Sequence, residues 1–234
     1  MIKKAMILAA GFGKRLNPLT IDLPKPLLKI GKETLLSNTL NFLESYGAKE
    51  VVINVHYLRE KILNYIKIKK FRMDIKIVEE KNNILDTGGG ILNALNYFSN
   101  EPFLVINPDT VWNLQYLNEL KKMEKLFFEN EKIKSLLLIV NKNKSFDKSL
   151  KGDFSLKKNL ISRKKEDNLN YIYTGLQIIN PSIFINFQEK VFSINKVWNI
   201  LIENNELHGI ESDINFHHVS NLKIYNELLA EIKH

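Results

Sequence analysis

The chain has 234 residues, 44% hydrophobic and 26% charged, which suits one large globular domain or two small ones. No apolar run approaches the ~18–20 residues of a membrane span, which argues against a membrane partner. The absence of cysteine excludes disulfides and cysteine-ligated zinc and fits a cytoplasmic location. A net charge of +8 points to an anionic partner, against the bland alternative of a composition rich in Lys, Ile and Asn. The basic residues are scattered ("KIKK", "KKMEK", "SRKKE") and not gathered on one segment, so nucleic acid is not the expected partner.

Lys3 and Lys4 precede the apolar Ala5–Ala10, but that run falls short of the ~7–15 residues of a signal-peptide core, and Lys14 and Arg15 follow it. It reads as a strand. Further strands are expected at Glu50–Val55, Met73–Val78, Pro102–Asn107 and Ser135–Val140, several of them nearly continuous in Val, Ile and Leu, as when both faces of a sheet are covered. Helical spacing recurs between them: Leu36, Leu40 and Leu43; Leu58, Ile62 and Ile66; Ile91, Leu95 and Phe98; Leu114 and Leu117. Gly47 sits where the first helix should stop. This alternation predicts an α/β fold with a doubly wound, mostly parallel sheet. After residue 141 the pattern changes to strands and polar turns over 152–180, a helix over Ser193–Asn204 and a short strand around Phe216–Val219. A last helix carries Leu222, Tyr225, Leu229 and Ile232 on one face. No repeat or linker interrupts the chain, so a single domain over 1–234 is expected, with a nucleotide-binding half at 1–141 and a β-rich, substrate-shaping half at 142–234.

In open α/β sheets ligands bind beyond the carboxyl ends of the strands, which is where Gly11–Leu16 follows the first strand. Gly11 and Gly13 permit unusual backbone angles and expose N–H groups suited to phosphate oxygens. The loop is neither a Walker A nor a G-x-G-x-x-G, because no Gly-Lys-Ser/Thr ends it and Leu16 takes the third glycine position. Pro18, Pro24 and Pro26 predict an extended, stiff path that fixes Lys25. Arg15 offers a planar fork and Lys25 a point charge. Two cations beside bare amides form a polyphosphate clamp, or else a solvated basic loop.

"LAAGFGKRLNPLTIDLPKPLL" resembles the opening signature of the sugar-1-phosphate nucleotidyltransferases, densely over about 20 positions. The similarity continues through "LDTGGGI", "LVINPDTVWN", "GDF" and "TGLQIINPSIF", and the triple glycine is most similar to the branch that uridylylates N-acetylmuramate 1-phosphate. The resemblance implies an enzyme that joins a nucleoside triphosphate, UTP first, to a sugar 1-phosphate and releases pyrophosphate with Mg²⁺, or Mn²⁺. A mannose-1-phosphate guanylyltransferase-like enzyme, or a weak or inactive homologue that binds nucleotide and sugar phosphate, is the alternative. By family position Arg15 holds the leaving pyrophosphate and Lys25 the α-phosphate and attacking phosphate. Ala9, Ala10, Gly11 and Gly13 give backbone contacts to the nucleotide.

Thr87 reads as the N-cap of a glycine-rich helix start, Gly88–Gly90, where a base or ribose could lie against the backbone; a flexible turn is the other reading. The family's base-reading Gln or Glu falls in the region of Glu80 and Lys81, which leaves the base open. Asp109 is either a turn former or, by resemblance, the metal ligand, with Pro108 where the family has glycine. The second metal Asp of the family is replaced by His218 in "NFHHVSN". Three readings stand: an imidazole ligand with altered metal preference, substitution by Asp213 in a shifted register, or weakened catalysis. Gly152, Asp153, Thr174 and Gly175 fall where the family builds its sugar pocket, or form β-turns. The family's Glu-Lys-Pro reads "ISRKKED", so that grip is either missing or replaced by Arg163 or Lys164, and a cation there would favour an acidic or phosphorylated sugar. A monomer or small homo-oligomer is expected.

Overall fold

The structure, a computed structural model, describes residues 1–164 and 166–232. In chain order the strands and helices are β1 (Lys4–Leu8), β2 (Lys29–Ile30), β3 (Glu33–Thr34), α1 (Leu35–Tyr46), β4 (Glu50–Val55), α2 (Arg59–Ile68), β5 (Asp74–Glu79), α3 (Asp86–Ala94), β6 (Phe103–Ile106), α4 (Tyr116–Glu129) and β7 (Ser135–Asn141). There follow β8 (Ser155–Lys157), β9 (Leu160–Ser162), β10 (Tyr171–Ile179), α5 (Ile194–Glu203), β11 (Leu207–Ser212) and α6 (Leu222–Ile232). Apart from the β2–β3 hairpin, the strands form one nine-stranded sheet in the order β5-β4-β1-β6-β10-β7-β11-β9-β8. Only β10 and β9 run against the rest, so the central sheet is mixed but mostly parallel.

The strands are apolar throughout because both faces of the sheet are covered. Ala5 and Ile7 of β1 face a core that includes Leu36, Leu40 and Leu43 of α1, Ile62 of α2 and Leu120 and Met123 of α4. Met6, between them, faces a second core with Ile91 and Ala94 of α3 and Val197 and Trp198 of α5. Each fully buried Leu or Ile side chain contributes about 1.5–3 kcal/mol. α1 begins where the Thr34 side chain accepts from the Ser37 amide at 3.0 Å and ends at Gly47, whose φ of 99° allows the left-handed stop. α6 packs on the proline-rich opening segment through Ile224, Tyr225 and Leu228, against Leu16, Leu28 and Ile30. The Tyr225 hydroxyl also donates to the Lys29 carbonyl at 2.8 Å.

Several expectations are corrected. The first strand ends at Leu8, which frees Ala9 and Ala10 for the loop. Leu114 precedes α4 and is exposed, because the Asn113 side chain and the 113–116 turn initiate the helix later. Phe216–Val219 is no strand: its pairing stops at isolated bridges, Ser145 with Phe216 and Thr110 with His218. The strand that fills this part of the sheet is β11, whose mixed sequence LHGIES hid it. The buried face of α6 is Ile224, Tyr225 and Leu228, while Ile232 is exposed. Lys25–Leu27 form a 3-10 turn, so the path around Lys25 is stiff but not extended.

Two features tie the halves of the chain together. β10 inserts between β6 and β7, and its register breaks between Tyr173 and Leu176, at Gly175 with φ 94°. There the Asn107 amide donates to the Gly175 carbonyl at 2.8 Å, and the Thr110 hydroxyl to that of Thr174 at 2.6 Å. On the other face, the Gly88 and Gly89 amides both donate to the Phe192 carbonyl, closing α3 onto the start of α5. A Cβ at Gly89 would fall on the Lys190 carbonyl oxygen. Gly89→Ala is therefore expected to cost about 1–3 kcal/mol of stability, read as a lowered urea midpoint; an unchanged midpoint would contradict this close approach.

Candidate active site

The parallel strands β1, β4 and β6 end at one rim of the sheet, and a cavity of about 420 Å³ opens there. Ala9, Ala10, Gly11, Gly13, Arg15, Lys25, Thr87 and Asp109 all line it. Residues widely separated in sequence thus meet at the place the topology reserves for ligands.

The opening loop is shaped for close approach. Gly13 has φ 66°, and a side chain there would also crowd Thr20 and Lys25. At Gly11 a Cβ would meet nothing, so its backbone faces open space. Among the described residues, the amides of Gly11, Phe12, Gly13 and Lys14 have no protein acceptor. A run of bare N–H groups is suited to an anion. Arg15, in the 3-10 turn Lys14–Leu16, is exposed and forms no ion pair among the described residues. Thr20 braces the loop by donating to the Gly13 carbonyl at 2.9 Å.

Lys25 and His218 converge on one carboxylate oxygen. Lys25 Nζ lies 2.5 Å, and His218 Nε2 3.2 Å, from Asp109 Oδ2. Burial pushes the Asp109 carboxyl up, but Lys25 and then His218 outweigh it and hold the group well below the usual carboxylate range. Asp109 Oδ1 and His218 Nδ1 are buried and have no partner among the described residues. Asp213, by contrast, is an exposed partner of Lys144 at 2.7 Å. Among the described residues no cluster of three His, Cys, Asp or Glu side chains could hold a metal by itself. The donor set fits a divalent ion that is held by one carboxylate, with or without the imidazole, and otherwise by substrate phosphates. The unpartnered Oδ1 is the atom that supports this fit.

The floor of the cavity is a buried polar relay that the sequence did not announce. The Ala9 amide donates to Asn54 Oδ1 at 2.9 Å, and Asn54 Nδ2 donates to Glu80 Oε1 at 2.7 Å. The Leu85 amide donates to Glu80 Oε2 at 2.7 Å. Asn54 interrupts the apolar run VVINV at a strand end, the one signal that could have marked it. Thr87 is not the N-cap of α3, which starts at Asp86 after Leu85; its hydroxyl instead accepts from the Ile194 amide at 2.9 Å. Gly88 does not line the cavity, and its amide is taken by Phe192. The α3 start is thus closed by protein and not bare toward a ligand.

None of the four residues expected to bind the sugar lines the main cavity. Gly152 borders a second, lysine-lined cavity, and its missing Cβ leaves room for the Leu169 carbonyl. Asp153 Oδ2 accepts from the Tyr173 amide at 3.1 Å. Thr174 is buried and donates to the Leu138 carbonyl at 2.8 Å, and Gly175 forms the β10 bulge beneath Asn107. The sequence also gave no notice of Asp147. It is buried and accepts from Ser220 at 2.6 Å and from both the amide and hydroxyl of Ser149. Ser220 lines the main cavity two residues after His218, so Asp147 anchors that wall.

Residues 4–147 match the nucleotidyl transferase family, and the chain belongs to that family. It is 27% identical, over 93% of its length and 91% of the relative's, to the N-acetylmuramate alpha-1-phosphate uridylyltransferase of Caulobacter vibrioides. It is also 27% identical to the mannose-1-phosphate guanylyltransferase catalytic subunit beta of Drosophila pseudoobscura pseudoobscura, over 89% of its own length but 56% of that chain. In fold it is similar to HddC from Yersinia pseudotuberculosis complexed with GMP-PN, at TM-score 0.75, 20% identity and coverage of 99% and 100%. A UDP-glucose pyrophosphorylase from Acinetobacter baumanii superposes at TM-score 0.81, 14% identity and coverage of 99% and 93%.

Burial raises the Asp147 carboxyl pKa, but hydrogen bonds from Ser149 and Ser220 outweigh this and hold it below its ordinary value. Its contribution to stability is complete above the unfolded value of about 3.9 and is lost as pH falls through the lower folded value. Asp147→Asn is expected to cost about 1–3 kcal/mol at pH 7. Its deficit against the wild type should shrink as pH drops below about 4, measured by urea denaturation across pH. A deficit independent of pH would remove the charge from this account.

Proposed function

We propose that this chain transfers the nucleotidyl group of UTP to a sugar 1-phosphate and releases pyrophosphate, with N-acetylmuramate 1-phosphate as the favoured sugar. The observation that carries the reading is the meeting of Arg15, Lys25 and Asp109 with the bare amides of Gly11 and Gly13 around one cavity. UTP and the sugar are favoured by the similarity to the uridylyltransferase over nearly the full length of both chains. The absence of cysteine supports a cytoplasmic enzyme. No described helix is long and apolar enough to cross a membrane.

The chemistry is an in-line displacement. An oxygen of the sugar phosphate attacks the α-phosphorus, the bond to the β-phosphate oxygen breaks, and pyrophosphate leaves with its negative charge. In such reactions the protein positions groups and neutralises charge. The Gly11 and Gly13 amides approach the triphosphate, and Arg15 neutralises the departing pyrophosphate. Lys25 exchanges part of its contact with Asp109 for the α-phosphate and the attacking phosphate, at the point where negative charge is greatest. Bound beside Asp109, a divalent ion would add charge neutralisation; Mg²⁺ is favoured, and the His218 imidazole extends tolerance to Mn²⁺.

A second reading, a nucleotide and sugar-phosphate binder of weak activity, is favoured by one observation: His218 stands against Asp109 and supplies no second carboxylate. Pyrophosphate release with a panel of nucleoside triphosphates and sugar 1-phosphates separates the two. We expect release with UTP, and a fall of more than about 100-fold, or roughly 2.7 kcal/mol, in both Arg15→Ala and Lys25→Ala. Near-wild-type rates in both variants would contradict the clamp. Nucleotide binding without release in any combination favours the binder.

A further inference from the structure

Outside the phosphate cleft, a guanidinium is held in place without an ion-pair partner among the described residues. Arg163 follows β9, and its guanidinium carbon lies 4.4 Å from the centre of the Phe154 ring and 5.9 Å from that of Trp198. Nη1 donates to Asn195 Oδ1 at 2.9 Å and to Asn199 Oδ1 at 3.3 Å, both on α5. Nε is buried and has no acceptor. No carboxylate among the described residues is within ion-pair distance; the nearby Asp153 is turned to the Tyr173 amide. The Tyr173 hydroxyl is a second buried polar group without a partner, its ring 4.9 Å from that of Trp198. Two links join this place to the cleft. Tyr173 precedes Thr174, whose carbonyl accepts from the Thr110 hydroxyl next to Asp109, and the start of α5, next to Asn195, is bonded to Thr87 in the cleft wall.

A half-buried cation without a counter-ion is costly, and so is an unmade hydrogen bond on a buried donor. No ion pair among the described residues meets the first cost and no acceptor the second, while the guanidinium is fixed by stacking and by two amides in advance of any ligand. Both orphaned groups can donate, and both lie beside the Trp198 ring. A fixed cation with unused donors selects an acceptor-rich anion of planar shape, which is a carboxylate. We propose that Arg163, together with Tyr173, reads a carboxylate on the sugar, so that the chain selects sugar 1-phosphates with an acidic substituent over neutral ones. This rests on the reading of the chain as a sugar-1-phosphate nucleotidyltransferase and names the substrate class of that site. Neighbouring Lys164 is exposed and makes none of these contacts.

The test uses two substrates that differ by one carboxylate-bearing ether, N-acetylmuramate 1-phosphate and N-acetylglucosamine 1-phosphate. Each is assayed for pyrophosphate release with UTP, and for binding by calorimetry in the presence of a non-hydrolysable UTP analogue. Wild-type protein is expected to prefer the acidic sugar, and Arg163→Gln to reduce the acidic-to-neutral ratio of kcat/KM by at least about tenfold, as for one lost charge-assisted hydrogen bond. The change should fall mainly on KM, and Arg163→Lys should recover part of it. Equal losses on both sugars overturn the proposal, because they would mean that Arg163 holds the shared 1-phosphate or only the fold; so does a wild-type preference for the neutral sugar. If no pair releases pyrophosphate, the enzymatic reading fails while calorimetry still decides this one: acidic-sugar selectivity lost in Arg163→Gln supports it, and absent selectivity overturns it. Should Arg163→Gln not fold, the Asn195→Ala, Asn199→Ala double variant keeps the cation but frees it. A ratio unchanged in that variant and in Arg163→Lys counts against the proposal.

Discussion

Lys25 and Asp109 lie 2.5 Å apart although 84 residues separate them in the chain, and this contact depends on most of the surrounding architecture. It requires β1 and β6 to be parallel neighbours, so that the segments leaving their carboxyl ends emerge at the same rim. It requires the 3-10 turn at Lys25–Leu27, with Pro24 and Pro26 around the lysine, to hold the ammonium at the mouth of the cavity. α6 in turn packs on that segment, so the far end of the chain holds down its beginning. His218 reaches the same carboxylate oxygen from the last third of the chain, so three distant segments meet at Asp109.

The second half of the chain is organised by insertion and not by addition. β10 runs antiparallel between two strands of the parallel set, and its bulge at Gly175 fits beneath Asn107 just before Asp109. The hydrogen bonds of Asn107 to Gly175 and of Thr110 to Thr174 therefore tie this half to the segment that carries Asp109. The contact of α3 with the start of α5 does the same on the opposite wall, because glycines at 88 and 89 let two backbones touch. These glycines resemble a ligand-binding turn in sequence, yet their amides are spent on protein.

The opening loop, Arg15, Lys25 and Asp109 were legible as a candidate site because each carries a residue type with a restricted use: glycine for bare backbone, proline for a fixed path, cations and a carboxylate for phosphate and metal. Asn54 and Asp147 were not, and Glu80 stood out only through the family resemblance, since a buried hydrogen-bond relay has no spacing of its own and exists only when distant segments meet. Arg163 stood among several cations in "SRKKE", and only contacts with Phe154, Asn195 and Asn199 distinguish it from its neighbours.

By itself the sequence determined the alternation of strands and helices, the parallel class of the sheet and the stop of α1 at Gly47, all of which are local or periodic properties. It also determined that a basic, glycine- and proline-rich segment leaves the first strand. The tertiary structure decided the rest: where β11 lies, that Phe216–Val219 makes only bridges, that Thr87 serves α5 and not its own helix, and that His218 faces Asp109 while Asp213 faces solvent. Those outcomes depend on which segments compete for one hydrogen-bond acceptor or one sheet edge, and such competition is between residues far apart in the chain.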